Sequence, residues 1–199
     1  MKKILQCLKF TVILMIICGI LYPLLVTGIG QVFLGNKSNG GFITAGGEKV
    51  GSENIGQEFT EDKFFKGRVS SVGYNTGENV DEKTVASGSE NLAPSNEKLK
   101  ERMDKTLEEI LKENPTISKD EVPIDLITSS GSGLDPHISL KGAEIQIDRV
   151  STASGISKEK LKSFIDKVKE GKTLGVLGEE RVNVLKLNIE VAKELNLIS

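Results

Sequence analysis

The chain has 199 residues, 26 Lys+Arg against 28 Asp+Glu, a formal net charge of −2 and 38% apolar residues. Balanced charge without a Lys/Arg-dense stretch argues against a nucleic-acid binder, and apolar periodicity through the C-terminal part argues against disorder. The only cysteines are Cys7 and Cys18 and the only histidine is His137, so residues 19–199 hold no disulfide framework, Cys-based metal site or multi-histidine centre.

In chain order, the first element is an uncharged run of 27 residues between Lys9 and Lys37, 18 of them apolar. As a helix it reaches roughly 40 Å at about 1.5 Å per residue, beyond the ~30 Å hydrocarbon core. It is also longer than the apolar region of a cleaved signal, despite a weak Val26-Thr27-Gly28 cleavage string, and reads as a retained anchor. Lys2, Lys3 and Lys9 precede it, while only Lys37 and Lys49 follow closely. The positive-inside rule then predicts a cytoplasmic N-terminus (1–9), a transmembrane helix (10–34), a Gly/Asn-rich tether (35–41) and an extracytoplasmic domain (42–199) in a single-pass plasma-membrane protein. Beyond residue 36, 23 bases face 28 acids, so that part carries about −5. Gly19, Pro23 and Thr27 fall at i, i+4 and i+8 with Gly30 one turn on, a stripe of small residues suited to close packing on a partner helix. Pro23 should also distort the helix against the carbonyl of Gly19.

The domain reads as α+β. Phe42–Thr44 and Glu48–Ser52 are strand-like around a Gly46-Gly47 turn. The stretch 54–94, rich in Gly, Ser and Asn with scattered Phe59, Phe64, Phe65 and Tyr74, reads as a long functional or contact loop. Ser95 is positioned to cap a helix with apolar Leu99, Met103, Leu107, Ile110 and Leu111, ended by Asn114-Pro115. Val122, Ile124 and Leu126 alternate like a strand. Ser139 caps a helix through Ala143, Ile147 and Val150, and Ser157 caps one with the stripe Leu161, Phe164, Ile165, Val168, stopped by Gly171. A last helix is predicted over 181–195, with Glu179 and Glu180 at its entry, favourable to the dipole.

The densest polar cluster is Thr128 to Ser139, which includes Ser129, Gly131, Ser132, Gly133, Asp135 and His137. A hydrolase would use Ser130 or Ser132 as nucleophile, His137 as base and Asp135 as orienter. The two-residue spacing of Asp135 and His137 and the missing G-x-S-x-G pattern speak against it. The Gly131/Gly133 pair lacks the third glycine of a dinucleotide loop, and no Walker pattern occurs. Anion binding through backbone N–H groups stays open, beside the plainer reading of a self-bonded loop. No Ca-type loop or other metal site is expected, and no catalytic residue is assigned.

Six blocks carry a family resemblance: LYPLLVTGIGQVF (21–33), GSENIGQEF (51–59), FKGRVSSVGYN (65–75), ASGSENLAPSN (86–96), ITSSGSGLDPHIS (127–139) and GVLGEERVNVLKLN (175–188). Together they resemble the C subunits of the Kdp potassium-transporting ATPase over nearly the whole chain, with Leu140 and Asp148 standing where the family pattern carries prolines. The resemblance implies a non-catalytic, single-span subunit of a four-subunit potassium importer. Its partners would be a channel-like potassium-binding subunit, a P-type ATPase subunit that hydrolyses ATP, and a small membrane subunit. It also implies a role in assembly and in raising the ATP affinity of the hydrolysing subunit, with ATP and potassium handled by the complex rather than held here as cofactors. The predicted topology makes that effect allosteric. The alternative is direct nucleotide contact through Gly131–His137.

Overall fold

The computed structural model describes residues 2–76 and 85–198, and part of the predicted 54–94 loop (77–84) therefore lies outside the described residues. The chain divides into two compact units, Met1–Phe42 and Ile43–Ser199.

The first unit is helical from Lys2 to Ser38: α1 (Lys2–Ile16), a π turn (Ile17–Leu21) and α2 (Tyr22–Ser38). Its mean hydropathy reaches 2.6 over an 18-residue window and none of that window is buried, which makes it a candidate membrane span. The distortion expected from Pro23 is local. Pro23 has no N–H to give to Gly19, and the turn before it widens so that the Tyr22 N–H bonds Ile17 O. Residues 35–38, expected as tether, continue the helix. There the chain bends back: a Cβ on Gly30 would lie 3.6 Å from Ser38 Cβ, although eight residues of straight helix separate two atoms by about 12 Å. Gln31 and Asn39 exchange side-chain hydrogen bonds of 3.0 and 3.1 Å across the bend.

The second unit is the α+β domain. A hairpin, β1 (Phe42–Ala45) and β2 (Glu48–Ser52), turns at Gly46 and Gly47, both at positive φ. The main sheet is antiparallel in the order β3 (His137–Ser139), β5 (Arg181–Asn183), β4 (Lys169–Glu170). Its register sets His137 opposite Asn183, Ile138 opposite Val182, and Lys169 opposite Val182 from the other side. Helices α3 (Glu97–Glu113), α4 (Ile124–Ile127), α5 (Leu140–Glu144), α6 (Ile147–Ser154), α7 (Lys158–Val168) and α8 (Val184–Glu194) complete it. Ile138 and Val182 from the sheet, Leu161 and Ile165 from α7, Leu187 and Val191 from α8, and Phe65 form the buried core.

Several elements differ from expectation, each for a local reason. Asn96, not Ser95, caps α3 by accepting from Lys98 N–H. The alternating segment 122–128 is the one-turn α4, started by extended Pro123, and not a strand. The predicted helix after Ser139 is two helices, α5 and α6, parted at Ile145 and Gln146. Helix α7 ends at Val168, and Lys169–Glu170 pair with β5, so Gly171 lies beyond the stop. Residues 181–183 are a strand, and Asn183 caps α8 by accepting from Lys186 N–H.

The described part of the 54–94 loop is tied to this core. Buried Asn188 of α8 accepts from Phe65 N–H at 2.8 Å and donates to Phe65 O at 2.9 Å. One residue on, Gln146 treats Lys66 in the same way, at 2.8 and 3.1 Å. Two side-chain amides thus take the place of a neighbouring strand, satisfying main-chain groups that burial would otherwise strand without partners. Phe65 itself is fully buried.

Candidate functional site

Two regions were singled out by the sequence. On the membrane helix, Gly19 has open space where a Cβ would stand, but it lies inside the π turn. The i, i+4, i+8 rule holds for α-helix, so the wider turn offsets Gly19 from Pro23 and Thr27. Gly30 differs from the other three in being partly covered by Ser38 of its own chain.

The second region is the loop from Ser129 to Pro136, which follows α4 and leads into β3 rather than into a helix. It is built by its own side chains. Ser130 Oγ accepts from Gly133 N–H at 2.9 Å and lies 3.3 Å from Ser132 Oγ, which accepts from Leu134 N–H at 3.1 Å. Arg102 Nη2 donates to Ser129 Oγ at 3.3 Å. Gly133 sits at φ 67, and a Cβ there would come within 2.7 Å of Gly88 O, so both its conformation and its neighbour require glycine.

The loop's carbonyls hold three distant segments. Ser132 O accepts from Gly88 N–H (2.7 Å) and Ser87 Oγ (3.0 Å), Gly133 O from Ser70 Oγ (2.6 Å), and Leu134 O from Gly56 N–H (2.8 Å). Gly131 has open space around it. The N–H groups of Gly133, Leu134 and His137 already donate to Ser130, Ser132 and Asp135. The geometry is that of a self-bonded brace.

From this loop a charged seam crosses the sheet. Arg68 Nη1 meets Asp135 Oδ2 at 2.9 Å, and Asp135 Oδ1 lies 3.4 Å from His137 Nδ1 and accepts from His137 N–H at 3.0 Å. His137 Nε2 faces Glu170 Oε2 at 3.4 Å; Glu170 also binds Arg181 (3.1 Å) and Lys186 (3.2 Å), and Lys186 reaches Glu53 at 3.3 Å. Burial works against ionisation of Asp135, but hydrogen bonds from His137 and Arg68 outweigh it and bring the carboxyl down to about 2. Burial likewise opposes the charges of Glu170 and Lys186, yet their mutual bond lowers the one and raises the other. Tyr74, whose hydroxyl donates to Arg68 O at 2.8 Å, is pushed up to about 12 by burial and the nearby Asp135.

Asp135 and His137 meet, but both ring nitrogens of His137 face carboxylates, so the imidazole is not poised on Ser130 or Ser132 as a base. One expectation is corrected. Glu179 and Glu180 precede β5 instead of opening a helix, and they pair with Lys172 (3.7 Å) and Lys169 (2.9 Å). Among the described residues no group of three His, Cys, Asp or Glu is placed to hold a metal ion.

Sequence reasoning named Tyr74 only as one of the aromatics of the 54–94 loop and did not single out Arg68, Glu170, Lys186 or Glu53. A signal existed for some: Glu53, Arg68 and Tyr74 lie inside the blocks 51–59 and 65–75, and those blocks fold against 127–139.

Comparison with known proteins points to one family. The profile of the family described as "K+-transporting ATPase, c chain" matches residues 4–193. The chain is 49% identical to the KdpC subunit of the potassium-transporting ATPase of Clostridioides difficile, over the full length of both chains. It is 45% identical to the same subunit of Clostridium kluyveri, covering 95% of this chain and 92% of that one. For Bacillus cytotoxicus the identity is 48%, over 94% and 93%.

Proposed function

Because this chain belongs to the family of K+-transporting ATPase c chains, we propose that it is a non-catalytic accessory subunit of an ATP-driven potassium importer. One helix anchors it in the plasma membrane, its N-terminus is cytoplasmic, and the α+β domain stands outside. Its partners are the other membrane subunits: a channel-like potassium-binding subunit, the ATP-hydrolysing subunit and a small membrane subunit. It promotes assembly and raises the ATP affinity of the hydrolysing subunit through packed membrane helices, because an outer domain has no access to cytosolic ATP.

The observation that carries this reading is the division of the chain into a helical unit with a long uncharged, mostly apolar run, preceded by Lys2, Lys3 and Lys9, and a separate folded unit. The state of the Ser129–His137 loop supports the allosteric form of the role. Three of its main-chain donors, on Gly133, Leu134 and His137, are already engaged, which counts against direct nucleotide contact through them. The test is labelling of a Ser132→Cys variant in intact cells with a membrane-impermeant thiol reagent, with unaltered Cys7 and Cys18 as the background control. Labelling before lysis is expected. Labelling only after lysis would place the domain in the cytosol, overturn the topology and revive the nucleotide reading.

A further inference from the structure

Between β4 and β5 the chain makes a short excursion whose tip is apolar and bare. Leu174, Val176 and Leu177 are 86, 76 and 59% exposed. The excursion is nevertheless built. Thr173 N–H donates to Leu177 O at 2.8 Å and Leu177 N–H returns a bond to Thr173 O at 3.0 Å, while Gly175 N–H bonds Lys172 O at 3.0 Å. Gly175 and Gly178 take positive φ at no cost, but Leu174 is also held there, at φ 55, where a side chain is unfavourable. Exposed aliphatic groups held on a strained, hydrogen-bonded tip are a contact feature ready-made before its partner arrives.

We infer that the Leu174–Leu177 tip is a docking knob received by an apolar pocket on another subunit of the same pump. This rests on the reading of the chain as a pump subunit. Two considerations select that occupant. The tip offers a few hundred Å2 at most, against about 800 Å2 per partner in a stable free-standing interface, so it suffices only where both partners are already held together, as two subunits in one membrane are. It carries no Trp or Tyr, and its neighbouring Lys169 and Lys172 are paired to Glu180 and Glu179, so it lacks the aromatic and basic groups that seat a loop on a bilayer.

The experiment replaces Val176 with the photo-crosslinker p-benzoylphenylalanine in the complete pump, illuminates membranes and identifies the adduct by mass. An adduct with another pump subunit is expected. An adduct with lipid, an adduct with a second copy of this chain, or no adduct overturns the knob. Affinity purification through a tag on this chain reads pump membership separately: co-purification without an adduct overturns the knob alone, and no co-purification overturns both. As a second variant, Leu174→Asp with Val176→Asp should reduce cross-linking from an introduced Leu177→p-benzoylphenylalanine about tenfold, with tryptic resistance of the domain unchanged. An unchanged yield counts against apolar docking.

Discussion

At Gly56 the backbone passes so close to its neighbours that any side chain is excluded. A Cβ would collide with the Tyr74 ring and stand 2.7 Å from the Asp135 carbonyl oxygen, which is main chain and cannot swing aside. Gly56→Ala should therefore destabilise the domain by about 2–3 kcal/mol, as overpacking does. Gly171→Ala, where nothing lies within 4 Å and φ is ordinary, should change stability by less than about 0.5 kcal/mol. Urea unfolding of the detergent-solubilised chain compares the two, and equal effects would refute the crowding argument. Asp135 gives a pH prediction with a definite sign. Its carboxyl is lowered from 3.8 to about 2 in the folded chain, so it contributes stability that is complete above about pH 4 and lost as pH falls toward 2. Arg68→Met removes one cause of that lowering and should move the acid-unfolding midpoint upward. The difference from the parent chain should vanish below pH 2 as far as this carboxyl is concerned, and acid titration followed by far-UV circular dichroism measures it.

Among elements, those that the sequence revealed are the ones whose determinants are local. Ser139 and Ser157 cap α5 and α7 as expected because a cap reaches only its own first turn, accepting from Gly142 and Lys160 N–H. The hairpin at Gly46-Gly47 was legible for the same reason. Strand β5 was read as helix because its three residues are strand only by pairing with His137–Ser139 and Lys169–Glu170, which lie far off in sequence. Segment 122–128 was read as strand because three alternating apolar residues fit a Pro-bounded single turn equally well. At the site, Asp135 and His137 were visible as neighbours on one loop, whereas Arg68, 67 residues from Asp135, is brought there only by folding. The membrane helix yields a prediction at this scale. Gly19 has open space at its Cβ position within the widened turn, and a small residue there lets another helix approach. Gly19→Leu should lower co-purification with the channel-like subunit several-fold in detergent, measured by quantitative blotting, and an undiminished yield would remove Gly19 from the packing face.

For the molecule as a whole, the net charge of −2 is a sum of unlike parts: three lysines ahead of an uncharged helix, and 23 bases against 28 acids beyond it. Such an excess of acid raises the local cation concentration, within a reach of about 8 Å at physiological salt. The amide pair that grips Phe65 and Lys66 bears on how such a chain is made. Asn188 lies 123 residues after Phe65, and the Asn183 side chain that holds Glu53 O lies 130 residues after it. On a ribosome, the main-chain groups of Phe65 lack these partners until α8 has been synthesised, so this clasp closes late in translation. Putting the fastening near the C-terminal end makes its closure one of the last steps in making the chain.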